Sequence, residues 1–428
     1  MNRIEWAKQH RYRCVLPLST TNIRRLDAES VSMGCCCNGE YQTQQTWTGF
    51  LPKLLDSMSR DQPTPACQRC YTEEQQGNQS ERIKTLLQMD DRSWQDFTVH
   101  GRCRQHEVGI FLSNLCPLAC RSCQASESST YGKITKTTAS WTPQQNMVDD
   151  ATWFDAVTSK LTTVHANYEH PKVHLIGGET LVQPGLDQIL DWMINTGISD
   201  RFTVAMTTSL AVNLTKAVRD RLQRFAKVEL SLSIDSVGDN YHYVRWPSRF
   251  NKIEQNLTEL QAWRSMLPQL DCSLNPVFSL SNIFYLDDYL DYWLAHPAAL
   301  EIWPIHLWKP EHLAIENIAP EYQTQLVDYL SSICTHAFFD RGRGQVLLDL
   351  ITSMMSATMT DSDKMFCYHM VWMADYDRRT GLQLPIYNLR LWNLLTPKHQ
   401  QLYLDQLQLA DTSLPLELSV GATISYPV

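Results

Sequence analysis

The sequence predicts an α/β fold in which six strand–helix units follow one another between about residues 106 and 340. Three observations support this prediction. Apolar strand-like runs alternate with helical patterns, a group of cysteines directly follows the first run, and further cysteines cluster in the first 105 residues. Strands separated by single helices pair in parallel through right-handed crossovers. We therefore expect a partial, open barrel flanked by a smaller domain on each side.

The predicted elements of the barrel come in regular order. The strand-like runs cover residues 108–112, 173–176, 203–207, 228–234, 272–279 and 300–305. The helical patterns cover residues 151–168, 186–196, 217–225, 248–267, 285–296 and 321–339. In barrels of this kind the chemistry lies at the carboxyl ends of the strands, so functional residues are expected there.

Composition restricts the class of protein and its partners. A chain of 428 residues exceeds one average core, and 43% hydrophobic with 19% charged residues is an ordinary globular mixture. No run of about 18 apolar residues occurs, so no membrane partner is expected. The first residues contain no apolar signal core, which predicts a cytoplasmic protein. The net charge of −9 disfavours nucleic acid as a partner.

The cysteines predict metal binding. There are 13, and in a reducing compartment they favour metal over disulfides. Cys116, Cys120 and Cys123 follow the first predicted strand with C-x3-C-x2-C spacing. Three thiolates on one loop can bind three irons of a [4Fe-4S] cluster and leave the fourth iron open for the amino and carboxylate groups of S-adenosylmethionine. A zinc knuckle or a redox dithiol is the alternative, although zinc sites usually pair two C-x2-C units or one such unit with two histidines. The spacing resembles that of the radical S-adenosylmethionine (radical SAM) superfamily.

A second group of cysteines lies near the start of the chain. Cys14, the run 35–37, Cys67 and Cys70 can supply four thiolates, which makes a closed site for a second [4Fe-4S] cluster or for zinc. The pattern resembles the SPASM/twitch auxiliary-cluster modules of radical SAM maturases, and residues 70–82 are similar to the family in which that module precedes the barrel. The resemblance implies Cys14, Cys36, Cys67 and Cys70 as ligands. The triple cysteine departs from the usual pair, so Cys35 and Cys37 stay alternatives to Cys36.

The turn after the second predicted strand carries Gly177, Gly178 and Glu179. Glycines let the backbone approach a ligand closely. The resemblance implies that this turn accepts hydrogen bonds from the ammonium group of the cofactor, although the family usually has Gly-Gly-Glu-Pro and Thr180 replaces the proline. Taken alone, the motif reads as an ordinary strand-to-helix turn.

The later strands carry polar residues near their carboxyl ends. Thr207 ends the third strand, where the family commonly shows Thr-Asn-Gly. By resemblance, Ser233 and Asp235 contact the ribose or methionine end of the cofactor, or else they are polar residues satisfied within the barrel. Arg245 completes a Tyr-x-Arg pattern and pairs with the cofactor carboxylate or with a surface acid. Val277, on the fifth strand, is the candidate for the adenine contact.

The region after about residue 340 is helical and rich in methionine. Within it, Cys367 is either a small buried residue or the catalytic donor of a hydrogen atom that quenches a substrate radical. Trp303 and Trp308, near the sixth strand, are candidates for the wall of a substrate site, and His306 is assigned no role.

The resemblance implies a partial (β/α)6 TIM-like radical SAM barrel over residues 106–340. An auxiliary iron–sulfur domain would cover residues 1–105, and a C-terminal helical cap would cover residues 341–428. The enzyme would cleave S-adenosylmethionine with an electron from flavodoxin or ferredoxin, and the 5′-deoxyadenosyl radical would abstract hydrogen from substrate.

The favoured substrate is a ribosomally made peptide. It would undergo Cα epimerisation if Cys367 is the donor, and crosslink or thioether formation if the second cluster takes up an electron. A small metabolite that is dehydrogenated or a sugar that is modified is the alternative substrate. The rival from another class is a non-catalytic zinc-binding interaction protein.

Overall fold

The computed structural model describes residues 2–25, 31–35, 42–75, 80–137, 151–307, 310–356 and 363–409. Its α-helices are α1 Arg3–Gln9, α2 Leu16–Ser19, α3 Gln44–Ser59, α4 Gln68–Gln75, α5 Glu81–Gln88, α6 Asp91–His100, α7 Ser129–Thr135, α8 Ala151–Asn167, α9 Gly185–Asn195, α10 Lys216–Leu222, α11 Gly238–Val244, α12 Phe250–Arg264, α13 Leu286–Ala295, α14 Pro320–Ile333, α15 Gln345–Ser356, α16 Asp363–Thr380, α17 Leu384–Tyr387, α18 Leu389–Leu394 and α19 Pro397–Leu407. Its strands are β1 Thr20–Arg25, β2 Val31–Gly34, β3 Gln42–Thr43, β4 Gln105–Phe111, β5 His170–Ile176, β6 Thr203–Thr208, β7 Lys227–Leu232, β8 Leu270–Leu274, β9 Val277–Phe278, β10 Glu301–Ile302 and β11 Ile305–His306.

The strands form one large, mostly parallel sheet. Its nine strands lie in the order β10–β8–β7–β6–β5–β4–β1–β2–β3, and β9 and β11 pair in a separate two-stranded sheet. From β10 to β1 every neighbouring pair is parallel, whereas β2 and β3 turn back antiparallel. The predicted α/β class is confirmed. The sheet is open, with β10 and β3 at its edges, and this arrangement is compatible with a partial barrel.

The two faces of the parallel strands differ in chemistry because side chains alternate along a strand. One face is apolar and packs with the helices in a single core cluster; it includes Val108, Ile110, Val173, Leu175, Val204, Met206, Val228 and Leu230 from the strands and Val157, Leu161, Ile189, Leu190 and Leu257 from the helices. The opposite face carries Glu107, Lys172, His174, Thr207 and Glu229. The interior of the partial barrel is therefore polar.

The fifth and sixth predicted strands are each interrupted. The run 272–279 divides into β8 and β9 around Pro276, and the run 300–305 divides around Pro304 into β10 and β11. Proline has no N–H to donate to a ladder, so neither run continues through it. After these prolines both segments leave the large sheet. They then pair with each other in the two-stranded sheet, with Val277 opposite Ile305.

The first 105 residues are joined to the barrel through the sheet. The sequence of this region shows no regular alternation of strands and helices, but β1 pairs with β4 over Thr20–Ile23 opposite Glu107–Ile110. Gly109 permits this pairing, since a Cβ at that position would lie 2.1 Å from Oδ1 of Asn22. The domain boundary between residues 105 and 106 stays a prediction. Strand β1 precedes that boundary in the sequence but belongs to the same sheet as the barrel strands.

The C-terminal helices pack against one another and against the barrel. α16 contacts α19, α17 and α7, which places one of its ends beside the segment that follows β4. The predicted cap of residues 341–428 contains α15 to α19, and its last 19 residues lie outside the described part of the chain. Among the described residues, no helix has both the length and the apolar character needed to cross a membrane.

Because of His106, the stability of the junction between β1 and β4 is expected to depend on pH. Its ring lies 2.9 Å from Oγ1 of Thr21 and 3.0 Å from the carbonyl oxygen of Leu18, and it is 3% exposed. Burial, and secondarily the charge of Lys160, lowers the pKa of His106 from 6.5 to about 4. Between pH 6.5 and about 4, His106 therefore binds a proton in the unfolded chain but not in the folded one.

We predict that the His106 contribution to stability is complete above pH 6.5 and is lost as the pH falls towards 4, by roughly 3 kcal/mol in total. Chemical denaturation of the His106→Gln variant should show a correspondingly flatter dependence of the unfolding free energy on pH over this window. His100→Gln, at the exposed end of α6, is the matched control. Equal slopes in the wild type and the His106 variant would contradict the prediction.

Candidate metal and cofactor site

The cysteine loop, residues 114–123, directly follows β4 at the carboxyl edge of the sheet. It brings Cys116, Cys120 and Cys123 together: the first two are buried, the third is partly buried, and all three pack in one small cluster with Leu118 and Ala211. The thiols of Cys120 and Cys123 are within hydrogen-bonding reach of each other. The sequence-predicted set of three thiols is thus one local site.

Two of the three thiols of the loop, those of Cys116 and Cys123, are hard to ionise without a metal. Burial, and then the neighbouring Cys120, raises the pKa of Cys116 to about 12. The contact between the other two thiols lowers the pKa of Cys120 and raises that of Cys123, so the thiol of Cys123 keeps its proton more firmly than that of Cys120. Because thiolates are the metal-binding form, a metal that binds here must displace these protons.

The backbone of the loop is attached to the segment after β7. The amide of Ala119 donates to the carbonyl of Trp246 at 2.8 Å, and the amide of Arg121 donates to the carbonyl of Val244 at 2.9 Å. Within the loop, the amide of Leu118 donates to Sγ of Cys116 at 3.4 Å. The positions of the three sulfurs are therefore set by a distant part of the barrel as well as by their own sequence.

Arg121, between Cys120 and Cys123, is the strongest of these attachments. Its guanidinium donates to Oδ1 of Asp377 on α16 and, at 2.8 Å, to the carbonyl of Tyr243. Both members of the ion pair are buried, at 1% and 0% exposure of their side chains. The guanidinium also lies 3.7 Å from the centre of the Tyr243 ring and 4.5 Å from that of Tyr376.

The other oxygen of Asp377 is satisfied by three further donors. Tyr403 donates to Oδ2 at 2.6 Å, the amide of Leu384 at 2.8 Å and the hydroxyl of Tyr243 at 3.0 Å. A buried charge pair with a complete set of hydrogen bonds is the form in which burial is tolerated. This cluster attaches the cysteine loop to the C-terminal helices.

The Gly177–Gly178–Glu179 turn lies directly against the cysteine loop. The amide of Gly178 donates to the carbonyl of Ser113 at 2.8 Å, and that of Glu179 to the carbonyl of Leu115 at 2.9 Å. A Cβ on Gly178 would lie 2.5 Å from the oxygen of Leu115 and 2.8 Å from Cβ of Cys116, so only glycine fits there.

Glu179 is 1% exposed, and both of its oxygens have protein donors. Oε2 accepts from the amide and hydroxyl of Ser209, at 2.9 and 2.5 Å, and Oε1 accepts from the amide of Leu181 at 3.2 Å. The carboxylate thus bridges the turns after β5 and β6. A role of Glu179 in binding the cofactor ammonium stays a prediction. An ammonium group bound there would donate to a carboxylate that already accepts hydrogen bonds from the protein.

Asp235 and Arg245 form a second buried pair beside the loop. Nε and Nη2 of Arg245 donate to the two oxygens of Asp235 at 2.7 and 2.8 Å, and Nη1 lies 3.7 Å from Sγ of Cys120. The amide of Val277 also donates to Asp235, at 2.9 Å. Three predicted cofactor residues are thus in contact with one another. The bidentate partner of Arg245 through Nε and Nη2 is a residue of the protein, so a bound carboxylate would have to use the remaining N–H groups of Nη1 and Nη2.

The polar interior supplies residues that the sequence analysis did not select. The ring of His174 lies 3.3 Å from Oε1 of Glu107 and 3.2 Å from Oγ1 of Thr207, which was predicted. Nζ of Lys172 lies 3.1 Å from Glu107 and 3.0 Å from Glu229. Although burial opposes the shift, His174 and Lys172 hold the pKa of Glu107 well below its usual range. The sequence did contain a signal for these residues: in consecutive strands, single charged residues alternate with apolar ones.

Three of the four predicted N-terminal ligands, Cys14, Cys67 and Cys70, lie in the described part of the chain. Burial raises the pKa of Cys14, and the charges of Cys67 and Cys70 raise it further. Buried Arg82 attaches this region to α4 through an ion pair with Glu74. Cys36, the fourth predicted ligand, and Cys37 lie outside the described residues, whereas Cys35 is buried in the main core.

Cys367 does not join the residues of the cysteine loop. It lies ten positions before Asp377 on α16, or about 15 Å along the helix axis, and its sulfur is 3.6 Å from Nε2 of His399. Ser233 is partly buried just after β7, and Trp303 is 39% exposed just after β10. Trp308 lies outside the described residues.

We predict that Asp377→Asn lowers the free energy of unfolding by about 3 kcal/mol or more, because Arg121 would keep a buried charge without its partner. Thermal and denaturant unfolding measure the effect. Asp220→Asn is the control, since the Lys216–Asp220 pair is 80% and 54% exposed and should change stability by less than about 0.5 kcal/mol. A loss at Asp377 no larger than at Asp220 would contradict the prediction.

Comparisons with known proteins give only distant structural matches. No family model and no curated protein sequence matches the chain. Among solved structures, native anSMEcpe with bound AdoMet is 13% identical with a TM-score of 0.40, and the match covers 55% of this chain and 62% of that one. Streptococcus suis SuiB bound to precursor peptide SuiA is 12% identical with a TM-score of 0.35, over 81% and 78% of the two chains. The chain thus spans less than two thirds of the first of these structures. Its own architecture, a parallel sheet with the cysteine loop after one strand and Gly-Gly-Glu after the next, is the one that the radical SAM resemblance implies.

Proposed function

We propose that this protein is a radical SAM enzyme. The observation that carries the proposal is the cysteine loop: three thiols on one short segment, at the carboxyl edge of a parallel sheet, with the backbone of the Gly177–Gly178 turn packed against them. Three thiolates from one loop leave one position of a [4Fe-4S] cluster open, as a catalytic site requires.

The residues present fit these cofactors. Cys116, Cys120 and Cys123 would hold the cluster, and the turn that contains Gly178 offers backbone groups next to it, where S-adenosylmethionine would bind. Asp235, which accepts from the amide of Val277, pairs with Arg245 beside Cys120. When bound, the cluster and S-adenosylmethionine together supply a radical that removes hydrogen from a substrate carbon.

The chain itself contributes orientation and exclusion of water. The buried pairs Arg121–Asp377 and Arg245–Asp235 hold the loop from two sides, so the sulfurs keep their positions when the thiols lose their protons. Nη1 of Arg245 points at Sγ of Cys120 at 3.7 Å, and a cationic donor at that distance stabilises a thiolate over a thiol.

The polar face of the barrel is the proposed substrate surface. It runs from Lys172 and Glu229 to His174 and Thr207, below the carboxyl edge where the cysteine loop lies. Its paired charges would bind polar groups of a substrate inside the barrel. Trp303, 39% exposed after β10, would form part of the wall.

A peptide is the substrate class that we propose. The N-terminal cysteines resemble the auxiliary modules of peptide maturases, and the charges of Cys67 and Cys70 act on the thiol of Cys14. We expect the fourth ligand from Cys36, a reductant such as flavodoxin or ferredoxin, and a cytoplasmic location. The distance of Cys367 from the cysteine loop favours crosslink or thioether formation over epimerisation with Cys367 as donor.

Replacing Cys116, Cys120 and Cys123 together with alanine should abolish reductive cleavage of S-adenosylmethionine and remove about half of roughly eight irons, because one of two four-iron clusters would be lost. Iron analysis and chromatography for 5′-deoxyadenosine, on protein purified and reduced without oxygen, measure the two effects. Cys272→Ala, a buried cysteine of β8 outside both groups, is the control.

Three outcomes of this experiment would contradict the proposal. Loss of all iron or of none in the triple variant would exclude two independent clusters. A colourless wild-type protein that holds zinc in place of iron would support the non-catalytic zinc-binding class.

The substrate class is tested by co-producing the protein without oxygen, in deuterated water, with small open reading frames that neighbour its gene. We expect mass spectrometry to show a peptide that has lost hydrogen and has not taken up deuterium at a backbone carbon, as crosslink formation requires. Deuterium fixed at a Cα position would instead show epimerisation. An unmodified peptide with intact cofactor cleavage would favour a small metabolite, and the triple cysteine variant is the negative control.

A further inference from the structure

A group of three metal-binding side chains lies outside the proposed active site, between α16 and α19. It consists of Asp363, Cys367 and His399, and one ligand atom from each lies within 4.8 Å of the other two. The geometry points to a zinc site at this position, separate from both groups of cysteines that are proposed to bind iron.

The secondary structure places the three side chains on facing surfaces. Asp363 is the first residue of α16 and Cys367 follows four positions later, so both lie on one face of that helix. His399 is the third residue of α19, which packs along α16. A metal bound by the three would join the start of one helix to the start of the other.

The distances suit tetrahedral coordination. Sγ of Cys367 is 3.6 Å from Nε2 of His399, and Oδ1 of Asp363 is 3.5 Å from the same nitrogen. With metal–ligand bonds of about 2.0 to 2.3 Å, ligand atoms of a tetrahedral zinc site lie about 3.3 to 3.6 Å apart. Only small side-chain movements are needed, and a water molecule would complete the four ligands.

The imidazole of His399 is already oriented for this role. The ring is fully buried, and its other nitrogen, Nδ1, lies 2.7 Å from the hydroxyl of Tyr322 and 3.3 Å from Oε1 of Glu321. Histidines that bind metals usually have such a partner on the second ring nitrogen, which directs the first one at the metal. Nε2 therefore faces the thiol and the carboxylate.

The local charges also favour a divalent cation. Asp363 and Glu321 are acidic, and the thiolate of Cys367 adds a third negative charge on metal binding. Lys398 lies 3.2 Å from Oδ2 of Asp363 and offsets one of them, while Oδ1 faces His399. A divalent ion would make the group close to neutral. Thiolate, imidazole and carboxylate groups each bind zinc.

This site would give Cys367 a structural role. A thiolate that is bound to zinc is not available as a donor of a hydrogen atom, in agreement with the position of Cys367 away from the cysteine loop. The zinc would hold the first turn of α16, whose last turns carry Asp377.

The test is metal analysis of the full-length chain, produced with zinc in the medium and with its iron–sulfur cysteines unchanged. We expect Cys367→Ser and Asp363→Asn each to hold about one zinc ion per chain less than the wild type, with the same iron content. Cys334→Ser, a partly buried cysteine at the end of α14, is the matched control and should keep its zinc. Asp363, which is 45% exposed, provides a variant that does not disturb the core.

A second measurement is independent of metal counting. Addition of zinc chloride should raise the melting temperature of the metal-stripped wild type and of Cys334→Ser, but not that of Cys367→Ser. Equal zinc content in the wild type and both ligand variants would overturn the proposal. So would loss of iron in place of zinc, or an equal loss of zinc in the Cys334 control.

Discussion

The buried ion pair of Arg121 and Asp377 is the interaction on which the candidate site depends. Arg121 lies between two of the three cysteines of the loop, and Asp377 lies about 250 residues later on α16. Because an unpaired charge in this interior would be very costly, the loop and the C-terminal helices must assemble together. Tyr243, Tyr403 and Leu384 also donate hydrogen bonds to this carboxylate. Helices α11, α19 and α17, which carry these residues, must therefore assemble with the ion pair as well.

The same principle recurs around the loop. Asp235 and Arg245 pair next to Cys120, and Glu179 joins the turns after β5 and β6 through Ser209. These residues were selected from the sequence as contacts of a cofactor, and the structure shows each of them bonded to the protein. A polar group that positions a cofactor has to be held itself, so the two roles are compatible, and each pair can orient the surface that a cofactor would touch.

The sequence predicted the barrel with some errors of detail. Alternating apolar residues in 108–112, 173–176 and 203–207 correspond to β4, β5 and β6, because burial of one strand face against helices produces that pattern. Pro276 and Pro304 divide the last two predicted strands, because proline cannot donate to a strand ladder. β1 was missed because Thr20–Arg25 has little apolar alternation and is a strand only through its pairing with β4. The grouping of the three loop thiols could be predicted, since they are close in the chain.

The sequence by itself determined the spacing of the cysteines, the order of strands and helices, and the glycines that permit close approach. These are local properties, decided by covalent distance, alternation and the absence of a side chain. Only the tertiary structure decided which charges meet. The partners of Arg121, Arg245 and His399 lie 256, 10 and 36 residues away in the chain, and no local pattern marks them as pairs. Burial selects such partners because each charged or polar group removed from water needs one.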